Sequence, residues 1–471
     1  MSVRRHSAEH AESTHAFSSL QPRELEGVTV LGRRSMLKAG LAGMAGLSLP
    51  KLLQAREVSA QLDQRPMRQK SVILVWMTGG PSHIDTLDMK PSAPIEIRGP
   101  FQPISTALPG VQICEFLPKQ AAMLDKMTMI RSVDCRFSNH EPNMVMQSAN
   151  LDAEPRINRE AEKFPALASI IARQRLESIP DLPPYVVLNM KSRSHVAWGG
   201  YLGHAYDPFL GDDVGKLFSL PSGLTTDRLQ SRRTLTTDLD RLRRDLDLSG
   251  SMEATNRFTQ QAVSMVTGSR ARSAFDIGKE PESTRQRYGD HEWCRQALLA
   301  RRLVESGVSF VTIDLSNHGS SGTWDTHGDN IPPYGGIWNG LRPLLPVFDH
   351  MLTTLVSDLE ERGLLDDVLV LAMGEFGRTP KIGTQGSSDG RDHWPIVMSM
   401  TVAGGGFRHG QVIGASDRDA GQIKDRPVTP GDLAATIFQH MGVPLDVTYL
   451  DNRGRPRFLI DQGKPIVELC G

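Results

Sequence analysis

Five short polar clusters hold the residues of this chain that could do chemistry, and each brings a carboxylate together with an imidazole or a guanidinium. The first offers His83, Asp85 and Asp88, and the second Asp134, Ser138, Asn139 and His140. The third, N-H-G-S-S-G-T-W-D-T-H-G-D-N, offers His318, Asp325, His327 and Asp329. The fourth, G-E-F-G-R-T-P, holds Glu375 and Arg378, and the fifth, G-R-D-H-W-P, holds Asp392 and His393. One histidine in one loop is ordinarily a solvated side chain. Mixed Asp/Glu and His recurring in successive clusters is the ligand set of zinc, manganese or iron, whereas calcium and magnesium prefer oxygen alone. The pattern points to a metal centre of that zinc, manganese or iron type.

The elements that must position these clusters are short apolar runs. Ser71 to Met77 (S-V-I-L-V-W-M), Met127 to Val133 and Val368 to Met373 are nearly continuous and rich in branched residues, as strands covered on both faces require. Each runs directly into one of the clusters. Val186 to Asn189, Val308 to Leu315 and Val397 to Val402 read as further strands, and Leu117 to Lys126 as a crossover helix. Ile337 to Arg362 reads as a long helix that Pro343 or Pro346 could break, closed by Gly363. Thr429 to Val443 carries Thr429 as N-cap, Pro430 in the first turn, Asp432 to complete a capping box and Gly442 at its end. From Asp213 to about Ser306 the pattern is mostly helical, with a polar interruption over Gly278 to Asp290 and leucines three and four apart in Leu235 to Leu248. The expected architecture is a parallel α/β sheet built from both ends of the chain, with a helical insertion at 213–306. Ligands of such sheets bind beyond the carboxyl ends of the strands, where the clusters fall.

The amino-terminal part reads as an address. Gly32 to Lys38, G-R-R-S-M-L-K, followed by a mild glycine-rich apolar stretch to Pro50, is a twin-arginine signal. Cleavage after Ala60 fits the small-residue requirement. The expectation is a leader over 1–60 with a disordered beginning, a flexible 61–70, and export to the periplasm or another extracytoplasmic space. The apolar stretch is too short and glycine-rich to span a bilayer, so no stable membrane insertion is expected. The chain has 53 Lys and Arg against 54 Asp and Glu; residues 1–60 hold 8 and 5 of these, which leaves 45 against 49 and a net charge of −4 for the remainder. That balance gives no electrostatic footprint for nucleic acid. The spacing of Cys114, Cys135, Cys294 and Cys470 matches neither a zinc knuckle nor a disulfide scaffold; whether Cys114 and Cys135 pair is left open.

Four motifs in order, G-G-P-S-H-I-D-T-L-D, W-D-T-H-G, G-E-F-G-R-T-P and G-R-D-H-W-P, resemble those of the DUF1501 proteins, a bacterial family that commonly carries twin-arginine leaders. That family resembles a branch of the alkaline phosphatase and sulfatase superfamily. The resemblance implies a three-layer α/β/α sandwich with a two-metal centre at the carboxyl edge of its sheet, and the expected cofactor is one or two divalent ions, zinc or manganese. It implies hydrolysis of phosphate or related charged esters, small or polysaccharide-linked, or else a catalytically degenerate binding or structural protein on the same scaffold. Carried over position by position, Asp85 would bridge metals, Asp325 and His327 would supply an aspartate–histidine pair, and Glu375 would replace an Asp-His dipeptide. His393 would complete the metal shell. The aspartate–histidine pair is spaced by two residues here rather than four, and Phe376 follows Glu375 where the superfamily has histidine. No C-x-P-x-R sulfatase motif is present, so Ser138 is the phosphatase-like nucleophile candidate or, equally, an N-cap. His140 is a ligand or a general acid. Arg378 is an anion clamp or the partner of a buried carboxylate. Asp85 is expected to face the metals and Asp88 to brace the loop.

Overall fold

In the computed structural model, the described residues are 69–140, 145–154, 158–160, 163–175, 181–190, 198–212, 264, 268–316, 323–328, 335–383, 386–451, 453–460 and 462–470. The pairs 24–25 and 28–29, which form a short antiparallel ladder, are also described. The twin-arginine segment, the Leu235 to Leu248 helix, His318 and Asp329 lie outside the described residues.

The chain from Gln69 onward is built on an eight-stranded sheet. Its strands are β1 (Ser71–Trp76), β2 (Met127–Val133), β3 (Tyr185–Leu188), β4 (Phe209–Leu210), β5 (Phe310–Asp314), β6 (Val368–Met373), β7 (Met398–Gly404) and β8 (Gln411–Ile413), in the spatial order β8-β2-β7-β6-β1-β5-β3-β4. Every residue of β1 is buried, as its unbroken apolar run requires. Alternate residues of β1 serve two separate cores. Ile73 and Val75 join one with α1 (Pro118–Ala122), α3 (Glu292–Glu305) and α4 (Arg342–Glu361), whereas Val72, Leu74 and Trp76 join another with α2 (Leu167–Arg175) and α5 (Pro430–Met441). Helices therefore cover both faces, and the fold is a three-layer α/β/α sandwich.

Strand β1 pairs in parallel with β5 and β6, and β3 in parallel with β5. Strand β7 is antiparallel to both β6 and β2, which corrects the all-parallel expectation. The connection from Met373 to Met398 holds the short pair Gly377–Arg378 and His393–Trp394 and, among its described residues, no α-helix of the kind that carries a parallel crossover. β7 therefore begins where its neighbours end, and residues just before it reach the same edge as residues just after the others.

The capping box of α5 forms as expected, with Thr429 Oγ1 accepting from the Asp432 amide and Asp432 from the Thr429 amide. Gly442 closes the helix at φ 65°. The long helix starts with a π turn, Gly336–Leu341, and continues through Pro346. Three expectations differ in detail. Gln69 and Lys70, expected to fall in the flexible stretch 61–70, lie among the described residues, and the Gln69 side-chain amide donates to Ser309 Oγ at 2.9 Å. The polar stretch after Gly278 contains a helix, Glu282–Tyr288, whose apolar content is too low for periodicity to show it. The described part of the helical region, 268–306, ends in α3, which packs on β5 and α4 as part of one outer layer. Among the described residues no helix is long and apolar enough to cross a membrane.

Candidate metal centre

The turn after β1 sets the floor of the site. Gly79 and Gly80 adopt φ 118° and 82°, and a Cβ on Gly79 would lie 2.5 Å from the Asp325 amide nitrogen. Only glycine permits this approach, which brings the W-D-T-H loop against the turn. The Gly79 amide donates to Glu375 Oε1 at 2.8 Å. Thr78 donates its hydroxyl to Asp314 at the end of β5, and Ser316 Oγ donates to the same carboxyl at 3.0 Å. Burial pushes Asp314 up to about 7.

Around this floor four loops meet. His140 follows β2, Asp325 and His327 follow β5, Glu375 follows β6, and Asp392 and His393 precede β7. His140 Nδ1 lies 2.6 Å from Glu375 Oε1, and its Nε2 lies 3.1 Å from His393 Nε2 and 3.9 Å from Asp325 Oδ2. His327 Nδ1 meets Asp325 Oδ1, and its Nε2 lies 3.2 Å from Asp392 Oδ1. Donor atoms of His140, Asp325 and His393 all fall within 4.8 Å of one another, and so do those of His327, Asp392 and His393. Burial, aided by the nearby Arg378 cation and the neighbouring imidazoles, holds His393 down to about 2, so its ring is neutral and has a lone pair to give. Burial alone would raise Asp325, yet the Arg378 guanidinium and His327 reverse this and hold its carboxyl well below the usual range. Asp325 Oδ2 and Glu375 Oε2 are buried with no hydrogen-bond partner among the described residues.

Donor chemistry and these orphaned oxygens fit a divalent cation. Two imidazoles and a carboxylate oxygen facing one point are a zinc-type donor set, and a bare carboxylate oxygen buried in protein is costly without a cation. The Glu375–His140 contact supplies the orienting carboxylate that ligating histidines usually have.

Of the expected site residues, Asp325, His327, Glu375 and His393 are brought together, and His140 joins them. Asp85 is not among them. Its carboxylate is taken by Arg391 in a two-pronged pair, Nε to Oδ2 at 2.7 Å and Nη2 to Oδ1 at 3.0 Å, with Ser82 Oγ at 2.5 Å. A guanidinium already neutralises it, so it clasps the first loop to the G-R-D-H loop instead of facing the cluster. Asp88 does brace, through Lys90 at 3.0 Å and Ser416. Arg378 is fully buried and points inward. It donates to the Gly79 and Gly80 carbonyls and to Arg391 O, and pairs with Asp325 at 2.9 Å. These contacts use up the fork, which resolves its role as carboxylate partner and corrects the anion clamp. Ser138 is buried, its Oγ has no hydrogen-bond partner among the described residues, and the next described helix starts only at Val145. It is not the N-cap of that helix.

Asp392 is a candidate in the sequence, beside His393, with no role assigned to it, and sequence does not reveal Arg391 as the partner of Asp85. The adjacency of Asp392 to His393 was a usable signal for the first; a partner 306 residues away has no sequence signal. Trp324 is fully buried and stacks on Trp293, behind the Asp325 loop. The four cysteines are free thiols; burial pushes Cys114 up to about 12 and Cys135 higher still, which leaves both inert.

A family model described as "Protein of unknown function (DUF1501)" matches residues 69–470. The chain belongs to the DUF1501 family. No curated relative matches it. Among solved structures, this DUF1501 chain is similar to the PsFucS1 sulfatase from Pseudoalteromonas sp. at 14% identity and a TM-score of 0.36, over 89% of this chain and 74% of that one. It is also similar to the phosphonate monoester hydrolase SpPMH from Silicibacter pomeroyi at 11% identity and a TM-score of 0.33, over 85% and 76%. Likeness at that level says nothing about what the DUF1501 site does.

Proposed function

We propose that this chain is an exported metal-dependent hydrolase of phosphate or related charged esters, small or polysaccharide-linked, with His140, Asp325 and His393 holding one divalent ion, zinc or manganese. The observation that carries this reading is the convergence of two imidazole Nε2 atoms on the orphaned Asp325 Oδ2. His393 belongs to both donor groups, and a neutral imidazole has one lone pair, which favours a single ion over two. When bound, such an ion polarises the ester and makes a bound water acidic.

The protein's own residues then have separable tasks. Glu375 accepts the Nδ1 proton of His140 and fixes the tautomer that turns Nε2 toward His393. Arg378 holds Asp325 ionised and ties it to the glycine turn. His327 lies between the carboxylates of Asp325 and Asp392, so its ring can store a proton at Nε2 and pass it to a departing alkoxide. Ser138, with no base beside it, is the less supported nucleophile, and water is the better supported one.

A second reading, an ion-stabilised binding protein without turnover, is favoured by one observation: Arg378 is consumed by protein contacts and cannot clamp an anion. Metal analysis and turnover of aryl phosphates, phosphodiesters and sulfate esters separate the two. The hydrolase reading expects a stoichiometric ion and hydrolysis of at least one ester class, lost in His393→Ala and retained in Ser138→Ala. An ion without any turnover supports the binding protein, and purified and reconstituted protein without an ion overturns both.

A further inference from the structure

Asp392 and His393 are reached by a loop that cannot place them by itself. Residues 387–392 belong to no helix or strand, so contacts with other segments must fix their course. One side of this loop lies on the W-D-T-H loop. The Arg391 amide donates to Thr326 O at 2.8 Å, and a Cβ on Gly390 would collide with the His327 carbonyl. With the two backbones this close, the first loop cannot shift without moving His327.

The other side meets the π turn that opens α4. Asp389 O accepts from the Ile337 amide at 2.8 Å, and Asp389 Oδ2 accepts from the Trp338 amide at 2.9 Å. Both amides belong to the first turn, where a helix has no carbonyl of its own to offer them. A carboxylate suits that end because the helix dipole is positive there. Gly336, at φ 64°, lets the two segments meet: a Cβ on it would collide with Asp389 O and lie 2.8 Å from Oδ2. Thr429 caps α5 from the adjacent position in the chain, whereas Asp389 caps the π turn from 51 residues away. A cap borrowed over that distance is also a tether. It stands three residues before Asp392 and four before His393, which leaves little slack between the tether and the donors.

We infer that Asp389 is a positioning residue of the metal centre. Through its bonds to the π turn it holds loop 387–392 in place against the W-D-T-H loop, so that His327, Asp392 and His393 face one point. This role rests on the metal-centre reading, since the donor set is what the tether serves. His393 has a second support in its pairing with Arg378, so losing Asp389 loosens the donor set without dismantling it.

The test is titration of the full chain with zinc and with manganese against a competing chelator, with urea unfolding of the ion-free protein measured alongside. Asp389→Ala is expected to weaken ion binding by about tenfold or more, the scale of a lost orienting partner. Asp389→Asn keeps an oxygen for the Trp338 amide and is expected to retain most of the wild-type affinity. Gly336→Ala drives a methyl group into the same joint from the other side. It is expected to weaken the ion as well, and it carries the test if Asp389→Ala does not fold. Thr429→Ala removes a cap of the same kind from α5, so it is expected to lower stability and leave ion affinity alone, as a purely structural Asp389 would. Unchanged affinity in folded Asp389→Ala, a loss matched by Thr429→Ala, or an Asn variant as weak as the Ala one each overturns the assignment. A wild-type chain that takes up neither ion removes the metal-centre reading and this role with it. An ion held equally by wild type and Asp389→Ala leaves the metal centre standing and removes Asp389 alone.

Discussion

Two regions of this protein bury charge, and they do so in opposite ways. On the outer helical layer, Glu280 is held by Arg301 at 2.6 Å and by Arg302 and Arg362, while Asp358 is held by Arg301, Arg362 and the Tyr288 hydroxyl. Anion and cation are supplied together, and Arg301 and Arg302 hold the Glu280 carboxyl below its usual range against the pull of burial. At the sheet edge, imidazoles face one another, and buried oxygens of Asp325 and Glu375 have no hydrogen-bond partner among the described residues. The first region is complete as protein. The second becomes complete when a cation is added, and that difference marks it as a site where burial alone would not.

The largest expected effect tests that contrast directly. Asp325→Asn or His393→Ala is expected to take the bound ion from about one per chain to nearly none by elemental analysis, whereas Glu280→Gln leaves it unchanged. An ion lost equally in all three would erase the distinction.

Next in size, breaking a complete pair should cost folding rather than metal. Asp85→Asn is expected to destabilise by about 3–5 kcal/mol in urea unfolding, because it leaves the buried Arg391 guanidinium without its carboxylate, and Glu280→Gln by less, because Arg301 keeps Asp358. Ion content in the folded fraction stays at the wild-type level. Loss of the ion in Asp85→Asn with stability intact would instead make Asp85 a ligand.

Asp314 sharpens the comparison through pH. Its folded value, raised from 3.8 to about 7, means the native state binds the extra proton. Its contribution to stability is therefore full below about pH 4 and lost as pH rises through 7, on the order of 4 kcal/mol without an ion. Urea unfolding across that range should show the decline, and Asp314→Asn should flatten it. The smallest effect is a control outside both regions. Thr429→Ala removes the α5 cap and is expected to cost about 1 kcal/mol by thermal unfolding, with no change in ion content.

How far sequence could reach follows the range of the interactions involved. β1, β2 and β6 were legible because a strand buried on both faces must be continuously apolar, and α5 because its caps are local chemistry. The direction of β7 was not, since hydrophobicity carries no sign along the chain. His140, Asp325, His327, Glu375 and His393 could be picked out because imidazoles and carboxylates recur just beyond the apolar runs that make the strands. The placing of Asp85 failed because one carboxylate looks like another until its partner is known, and Arg391 is distant in sequence. Arg378 was ambiguous for the same reason: a guanidinium serves substrate or scaffold equally well until its neighbours are fixed.

The spans that join the site also bear on how the molecule comes into being. Gly79 meets Glu375 across 296 residues, and His140 meets His393 across 253. Closing loops of that length costs chain entropy before any contact rewards it, and proteins of such high contact order fold slowly. A chain still emerging from the ribosome lacks β6, β7 and His393 until most of it has been synthesised, so the donors cannot assemble on a partial product. On the metal-centre reading proposed above, the ion would enter last, as a latch on a finished molecule rather than a seed for folding. Truncation before β6 would leave the paired edges of β1 and β2 open to other chains, and aggregation rather than a smaller, metal-free fold is the fate such fragments should meet.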